Sequence, residues 1–429
     1  MPLKNGYTIS QFLSYNSLED KQQTREMSTT NRPPQSQQQA PFATGGYGCV
    51  YRPPITCKGV PSPDKASQLA GTVSKLQLSS RMAKNELLIG KLVAKLPRSQ
   101  DYFVTPESTC QVPVFQFPVP LASGCSPVSD GATTTTQIVI IQMRDIPHQK
   151  LGWVPPKSNE DELRNMLRNL LEGFPHCLQA IGLLQERDEP IVHFDLKADN
   201  IFAPAPPQLP LIADFGISFL PLKQTTETIK GTTIAYEPGY YIWPPEIHLL
   251  AFLLHARRSG GPHDPATPEE LKGVAKRIAT AIPLAPKSTA VREAEIMEFF
   301  GRFNSPNLNS VFAYVMEHWK KIDLYSICIS FGMVLQAYEL GEEGDYLAEL
   351  KTMMQEGMRA DPAGRPNLNS LLEVTERLLD GAAPQTINGL MTVRGKTEEN
   401  RATALATLAG QHRTLSRLTT RLDMSLTNE

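Results

Sequence analysis

Two acidic residues and one amide lie on two short segments that each follow an apolar, strand-like stretch. Asp195 and Asn200 lie within residues 192–202, and Asp214 lies within residues 211–216. A carboxylate can orient a hydroxyl for attack, and a carboxylate together with an amide oxygen can hold Mg²⁺. We therefore predict that Asp195 orients an attacking hydroxyl, and that Asn200 and Asp214 bind Mg²⁺. Helix caps and turns alone rarely place these residue types in this order and spacing.

A glycine-rich stretch, residues 44–51, lies between two strand-like segments near the start of the chain. Glycines let a hairpin lie close over phosphate groups, where a Cβ would clash with the ligand. A hairpin of this composition is also commonly just a tight turn. The residues that we expect to lie against a bound nucleotide are Gly45, Gly46, Tyr47, Gly48 and Val50.

One lysine, Lys75, lies in an otherwise apolar strand-like segment, and a helical pattern containing Glu86 follows it. Glu86 shares a helical stripe with Ile89, Val93 and Leu96, so its carboxylate faces the buried side of the helix. A buried carboxylate needs a cation, and we expect Lys75 to supply it, which places the ammonium for the α and β phosphates of a nucleotide. A surface glutamate and a snorkelling lysine would give the same pattern. Glu86 follows Lys75 by only 11 positions, so the helix must begin almost at once.

The elements that must position these residues form a strand-rich part followed by a larger helical part. Strand-like segments lie at 49–51, 71–75 and 137–142, and helical patterns lie at 80–96, 163–171, 268–282 and 290–302. The stretch 105–135 is rich in Pro, Ser, Thr and Gly, which predicts an inserted loop. We therefore expect an α+β protein whose two parts meet between residues 142 and 150.

Three further segments lie outside this pattern. Residues 1–41 are polar and rich in Gln, Ser and Thr, which predicts a disordered leader. Residues 383–429 form a polar tail, in which we expect a surface helix at 398–422. Residues 247–322 are interpreted as an insertion within the helical part, and the sequence does not indicate its role.

The combined motifs resemble those of the eukaryotic-type protein kinases. The resemblance extends from about residue 42 to about residue 380. It rests on the Gly-rich hairpin, Lys75, Glu86 and Asp323, and on the strings at 193–200, 214–216, 243–246 and 361–366. The strings at 46–51, 73–76 and 193–197 are also similar to the kinase-like proteins of large nucleocytoplasmic DNA viruses.

This resemblance implies a two-lobed protein kinase fold, with a β-rich N-lobe at 42–142 and a mainly helical C-lobe at 150–382. It implies ATP- and Mg²⁺-dependent transfer of the γ-phosphate to Ser or Thr hydroxyls of a protein substrate. Asp195 would be the catalytic base and Lys197 would contact the γ-phosphate. Phe202 would form part of the adenine site. Lys75 and Glu86 would complete the catalytic set, and Glu246 would pair with Arg365.

Several residues depart from the family pattern. Ala43 replaces the first glycine of the hairpin, and Phe194 replaces the arginine that usually precedes the catalytic aspartate. A phenylalanine cannot receive a phosphorylated loop residue, although several threonines follow Gly216. These are Thr225, Thr226, Thr228, Thr232 and Thr233.

Two other classes of protein remain as alternatives. A pseudokinase would bind nucleotide or partners without turnover, although Lys75, Asp195, Asn200 and Asp214 are all retained. A small-molecule kinase of related fold is the second alternative. The strings around Glu246 and Arg365 favour a protein substrate instead.

Composition restricts the partners and the location. The 42 Lys and Arg against 44 Asp and Glu leave a net charge of -2, so no bulk charge indicates a nucleic-acid or membrane partner. The longest apolar stretch, 324–335, is shorter than the roughly 20 residues of a membrane span. The six cysteines lack C-x-x-C spacing, and the start of the chain does not resemble a secretory leader. We therefore expect reduced thiols and a cytoplasmic location. For a viral protein, the expected location is the host cytoplasm or the virion. A metal site of Cys57, Cys110 and Cys125 is the less favoured alternative.

Overall fold

The computed structural model describes eleven stretches of the chain. They are residues 40–45, 48–57, 71–116, 124–129, 136–151, 160–204, 209–230, 234–256, 264–282, 287–337 and 345–381. The predicted tail, nearly all of the predicted leader, Gly46 and Tyr47 lie outside these residues. The described residues form an α+β fold in which an antiparallel sheet precedes a larger set of helices.

Five antiparallel strands form the first sheet, in the order β1-β2-β3-β5-β4. They are β1 (Ala43–Gly45), β2 (Gly48–Tyr51), β3 (Thr72–Leu78), β4 (Pro106–Pro113) and β5 (Gln137–Arg144). The run Ile138 to Ile141 is fully buried because both faces of β5 are covered. Ile138 and Ile140 pack in one cluster with Leu76 and Cys125, and Val139 and Ile141 pack with Ala83 on the opposite face. Helix α1 (Arg81–Val93) follows β3 after a turn of two residues. The strands predicted at 49–51, 71–75 and 137–142 and the helix predicted at 80–96 are confirmed to within a few residues.

The prediction of an inserted loop at 105–135 is wrong for its first third. Strand β4 pairs with β5 along most of its length, and a short helix, α2 (Ser126–Ser129), lies further along the segment. The Pro and Thr content looked like a loop because β4 is an edge strand, where Pro106 and Pro113 at the strand ends cost no ladder bonds. Pairing with β5 decides its structure.

Two disulfides join residues of this sheet region, so the expectation of reduced thiols is wrong for four of the six cysteines. Cys49 pairs with Cys125, and Cys57 pairs with Cys110, each with a Cα–Cα distance of 5.8 Å. The alternative of a cysteine metal site is also wrong, because its three cysteines are all bridged. The partners are 76 and 53 residues apart, and spacing in the sequence could not reveal that β2, β4 and α2 lie together.

Helices make up most of the rest of the described chain. A small sheet comprises β6 (His148–Lys150), β7 (Ile201–Pro204) and β8 (Leu211–Ile212). The helices are α3 (Glu160–Gln185), α4 (Thr226–Lys230), α5 (Pro245–Ala251), α6 (Pro268–Ala281), α7 (Thr289–Gly301), α8 (Leu308–Glu317), α9 (Lys320–Ala337), α10 (Asp345–Gly357) and α11 (Leu368–Gly381). The helices predicted at 268–282 and 290–302 are confirmed as α6 and α7. Within the described ranges, no helix is both long and apolar enough to cross a membrane.

The segment interpreted as an insertion, 247–322, is built into the hydrophobic core. Residues of α6, α7 and α8 share one buried cluster with Val192, Phe194 and Trp243. Thr267 caps α6 through a capping box with Glu270, so the helix has a defined start within the segment. These helices therefore pack against the segment that carries Asp195 and form part of the core of the helical region.

Candidate active site

Lys75 of β3 and Glu86 of α1 form the ion pair expected from the sequence. The Lys75 Nζ atom lies 2.9 Å from both carboxylate oxygens of Glu86, and Gln77 donates a third bond to Glu86 Oε2 at 3.0 Å. Ser80 caps α1 by accepting from the backbone N–H of Ala83, which lets the helix begin directly after β3. This immediate start explains how an interval of 11 residues can bring the two side chains together.

A second carboxylate contacts the same ammonium. Asp214 Oδ2 lies 3.3 Å from Lys75 Nζ, and the Asp214 side chain keeps 39% of its exposure while that of Glu86 keeps 5%. Burial of Lys75 opposes its charge, but Glu86 and Asp214 outweigh this and raise the pKa of the ammonium above its usual value. Burial also opposes ionisation of Asp214, yet the charge of Lys75 and the N–H of Gly216 hold the pKa of this carboxyl below its usual value. The site therefore contains a fixed cation and an accessible anion.

Asp195 lies in a dense set of polar contacts. Its Oδ2 accepts from Lys197 Nζ at 3.0 Å and from Asn200 Nδ2 at 2.9 Å, and its Oδ1 accepts from the hydroxyl of Tyr240. Burial raises the pKa of the Asp195 carboxyl, although Lys197 and Tyr240 favour the ionised form. Asp195, Lys197 and Asn200 are therefore brought together as the sequence predicted.

A buried carboxylate fixes the backbone on which Asp195 lies. Asp323 of α9, fully buried, accepts from the backbone N–H groups of His193 and Phe194 at 2.7 and 2.9 Å. His193 Nδ1 accepts from the N–H of Asp195, so its Nε2 carries the proton and donates to the carbonyl of Ala213 at 3.1 Å. Burial lowers the pKa of His193, which keeps the ring neutral in this role. One imidazole thus connects the Asp195 segment to the residue before Asp214.

Phe194, the departure from the family pattern, is an internal packing residue. Its ring is fully buried and stacks on Trp243 at 4.8 Å between centroids, and the indole N–H donates to its carbonyl at 2.9 Å. Phe194 has φ of 71° and Asp214 has φ of 66°, backbone conformations that cost energy in residues other than glycine. The Trp243 and Asp323 contacts compensate this strain on the Phe194 side.

The described part of the Gly-rich hairpin, β1 and β2, contains Gly45, Gly48 and Val50. A Cβ at Gly48 would come within 2.1 Å of the Leu76 carbonyl oxygen, so a glycine is needed there for packing on β3, independently of any ligand. A Cβ at Gly45 would lie 3.8 Å from the Gly48 carbonyl oxygen, an ordinary van der Waals contact, and Val50 is opposite Lys75 in the strand register. The predicted contacts of Gly46 and Tyr47 lie outside the described residues.

Three other residues assigned through the family resemblance occupy supporting positions. Phe202 lies on β7 and packs against the cluster formed by Val104, Ile146, Leu211 and Ala213. Glu246 and Arg365 form a bidentate ion pair at 2.6 and 2.8 Å, with both side chains almost fully buried. This pair joins the start of α5 to the turn before α11.

Two contributors to the site were missed by the sequence reasoning. Asn85 donates from its side-chain amide to the carbonyls of Gly216 and Ser218 at 3.1 and 2.7 Å, which holds the segment after Asp214 against α1. Tyr240 contacts Asp195 directly. Neither residue belongs to a motif with a chemical signature in the sequence, because an isolated amide and an isolated tyrosine are common on any surface.

The arrangement can bind and polarise an anionic group and can orient a hydroxyl. Lys75 and Lys197 supply positive charge, Asp214 is an accessible carboxylate, and Asp195 can accept a proton. No protein-family model matches the sequence. A search of curated proteins likewise finds no similar sequence. Any assignment of function therefore rests on the chemistry of these side chains.

Proposed function

We propose that the protein is an ATP- and Mg²⁺-dependent protein kinase that transfers the γ-phosphate of ATP to Ser or Thr hydroxyls of protein substrates. The observation that carries this proposal is the Lys75 ammonium held between buried Glu86 and accessible Asp214. Such a cation suits the α and β phosphates of a nucleotide. The five-stranded sheet with α1 and the helices from α3 onward support a two-lobed kinase fold.

Asn200 and Asp214 have the chemistry to hold Mg²⁺. Asn200 uses its Nδ2 atom to donate to Asp195, which leaves its Oδ1 atom as the ligand. The Asp214 carboxylate is ionised and partly exposed, as a hard cation requires. Bound Mg²⁺ would neutralise charge that develops on the phosphate oxygens.

The chain's own side chains would carry out the proton transfer and the positioning of the γ-phosphate. Asp195 would accept the proton of the substrate hydroxyl while that oxygen forms its bond to the γ-phosphorus and the bond to ADP breaks. Lys197 would contact the γ-phosphate, because its Nζ lies beside Asp195. Fixed charges of this kind need little reorganisation during the reaction, which is how positioning lowers the barrier. The Ser/Thr preference rests on the family resemblance of the Lys197 segment.

The purified protein should be incubated with Mg²⁺, γ-labelled ATP and generic protein substrates. We expect labelled phosphoserine or phosphothreonine with the wild type, and a loss of at least a hundredfold with Asp195→Asn and with Asp214→Asn. Asp188→Asn, which changes an exposed carboxylate outside the site, is the matched control and should retain activity. Full turnover by a folded Asp214→Asn variant would remove Asp214 from the proposed site.

The pseudokinase alternative predicts a different result from the same material. In that case a nucleotide analogue would bind with Mg²⁺, measured by calorimetry, and no substrate would be labelled. Nucleotide binding without phosphate transfer would support a scaffold function in place of catalysis. Absence of both nucleotide binding and phosphate transfer would contradict the proposed nucleotide site.

A further inference from the structure

A tyrosine of this chain contacts both Asp195, to which the proposed function assigns the substrate hydroxyl, and Lys197, to which it assigns the γ-phosphate. The Tyr240 hydroxyl donates to Asp195 Oδ1, and it accepts from Lys197 Nζ at 3.2 Å. The Lys197 ammonium also lies 5.6 Å from the centre of the Tyr240 ring. Tyr240 precedes α5, and its ring packs edge-on against Trp243 at 5.1 Å. The Tyr240 side chain is therefore fixed at its hydroxyl by Asp195 and Lys197 and at its ring by Trp243.

The two oxygens of Asp195 have different partners. Oδ2 is engaged by the Lys197 ammonium and the Asn200 amide, which orient the carboxylate. Oδ1 receives the hydroxyl of Tyr240. A substrate hydroxyl that gives its proton to Asp195 needs the same type of contact, and Oδ1 is the oxygen that is not used for orientation.

We propose that Tyr240 is a tethered occupant of the acceptor-hydroxyl position, which a protein substrate must displace before phosphate transfer. This inference rests on the proposed kinase function. The phenol mimics an acceptor by donating to Asp195 and touching Lys197. In the absence of substrate it also keeps water from Asp195 Oδ1, so wasteful hydrolysis of ATP is suppressed.

Displacement sets a cost on substrate binding rather than on the chemical step. A hydroxyl donating to a carboxylate makes a charge-assisted bond, which the entering substrate has to break. Removing the hydroxyl should leave Asp195 Oδ1 open to the substrate while Asn200 and Lys197 still orient the carboxylate. The effect should therefore appear in KM for the protein substrate, and kcat should change little.

The test compares wild type, Tyr240→Phe and the control Tyr241→Phe, whose ring is adjacent in the chain. A serine peptide is selected from a degenerate mixture by transfer with the wild type or, if the wild type is silent, with Tyr240→Phe. We expect Tyr240→Phe to lower the peptide KM about tenfold, equivalent to about 1.4 kcal/mol, with kcat within about threefold and KM for ATP unchanged. ATP hydrolysis without peptide should rise several-fold, and Tyr241→Phe should behave as wild type.

Three outcomes would overturn the proposal that Tyr240 occupies the acceptor-hydroxyl position. An unchanged peptide KM and unchanged ATP hydrolysis in a Tyr240→Phe variant with wild-type thermal stability would show that the phenol does not compete with substrate. A tenfold fall in kcat at constant peptide KM would make Tyr240 a positioning residue for Asp195. Both outcomes leave the kinase function intact, whereas absence of transfer and of ATP hydrolysis in wild type and Tyr240→Phe alike would overturn both proposals.

Discussion

Two carboxylates share the Lys75 ammonium, and their exposure separates their roles. Glu86 is buried and receives bonds from Lys75 and Gln77, so its charge is committed to holding the lysine. Asp214 touches the same ammonium at a longer distance and remains partly open to solvent. Because an ion can reach only the exposed carboxylate, the difference in exposure favours Asp214 as the proposed Mg²⁺ ligand and Glu86 as the residue that positions Lys75.

Replacing Glu86 with Gln should impair ATP use without removing the side chain's volume. The neutral amide cannot offset the buried ammonium, so Lys75 is expected to turn towards Asp214 and lose its position for the phosphates. We expect KM for ATP to rise at least tenfold, measured by steady-state phosphate transfer. Glu107→Gln, at an exposed position on β4, is the matched control. Wild-type ATP dependence in a folded Glu86→Gln variant would contradict the role of the pair.

The segment after Gly216 is positioned by neutral contacts. Asn85 binds its carbonyls, and Phe194 packs its ring against Phe219 at 5.2 Å between centroids. Further along, Thr225 and Thr228 cap α4 by reciprocal bonds from each backbone N–H to the other hydroxyl, at 2.7 and 3.1 Å. These contacts are made with unmodified threonines, so the described residues 217–230 are positioned without a phosphate.

Replacing Thr225, Thr226 and Thr228 together by Ala should leave kinase activity within about threefold, or roughly 0.7 kcal/mol in barrier. The lost cap should cost about 1 kcal/mol of stability, which thermal unfolding would register. Thr232 and Thr233 are left intact in this variant. Activity is measured by phosphate transfer to the same substrate as wild type.

A hundredfold fall that acidic substitutions reverse would contradict this independence from phosphorylation. In that case a phosphate would have to meet a cation other than the absent arginine. Arg81 and Lys223 line the same surface cavity as Thr228 and would be the residues to test next.

The cysteines of the sheet region and those of the helical part differ in oxidation state. Cys49–Cys125 and Cys57–Cys110 join elements of the sheet region, whereas Cys177 and Cys328 are free and buried among the helices. Disulfides persist chiefly in oxidising compartments. The cytoplasmic location expected from the sequence therefore stays a prediction, and a location in the virion would reconcile a viral chain with these bridges.

Counting thiols would test the bridges directly. Alkylation in denaturant should modify two cysteines without reductant and six after reduction, as read by intact mass. Reduction should also lower the free energy of unfolding, because each bridge restrains a long loop and is worth up to about 4 kcal/mol. Six modified cysteines in unreduced protein, purified without reductant, would contradict both disulfides.

The sequence by itself was sufficient for features that depend on local pattern. Helical periodicity located α1, α6 and α7. Motif spacing predicted a catalytic set of Lys75, Asp195 and Asp214, of which Lys75 and Asp214 are in contact. The Lys75–Glu86 pair was also predictable, because a charge on a buried helical stripe requires a partner. These conclusions need only neighbouring residues and the periodicity of helices and strands.

Only the tertiary structure decided features made by residues far apart in the chain. Edge pairing with β5 turned a loop-like stretch into β4, and folding of the sheet region brought together cysteines 53 and 76 residues apart. Tyr240 reaches Asp195 across 45 residues, and an isolated tyrosine has no pattern that predicts such a contact. Long-range contacts depend on how the chain closes on itself, and no local periodicity encodes that closure.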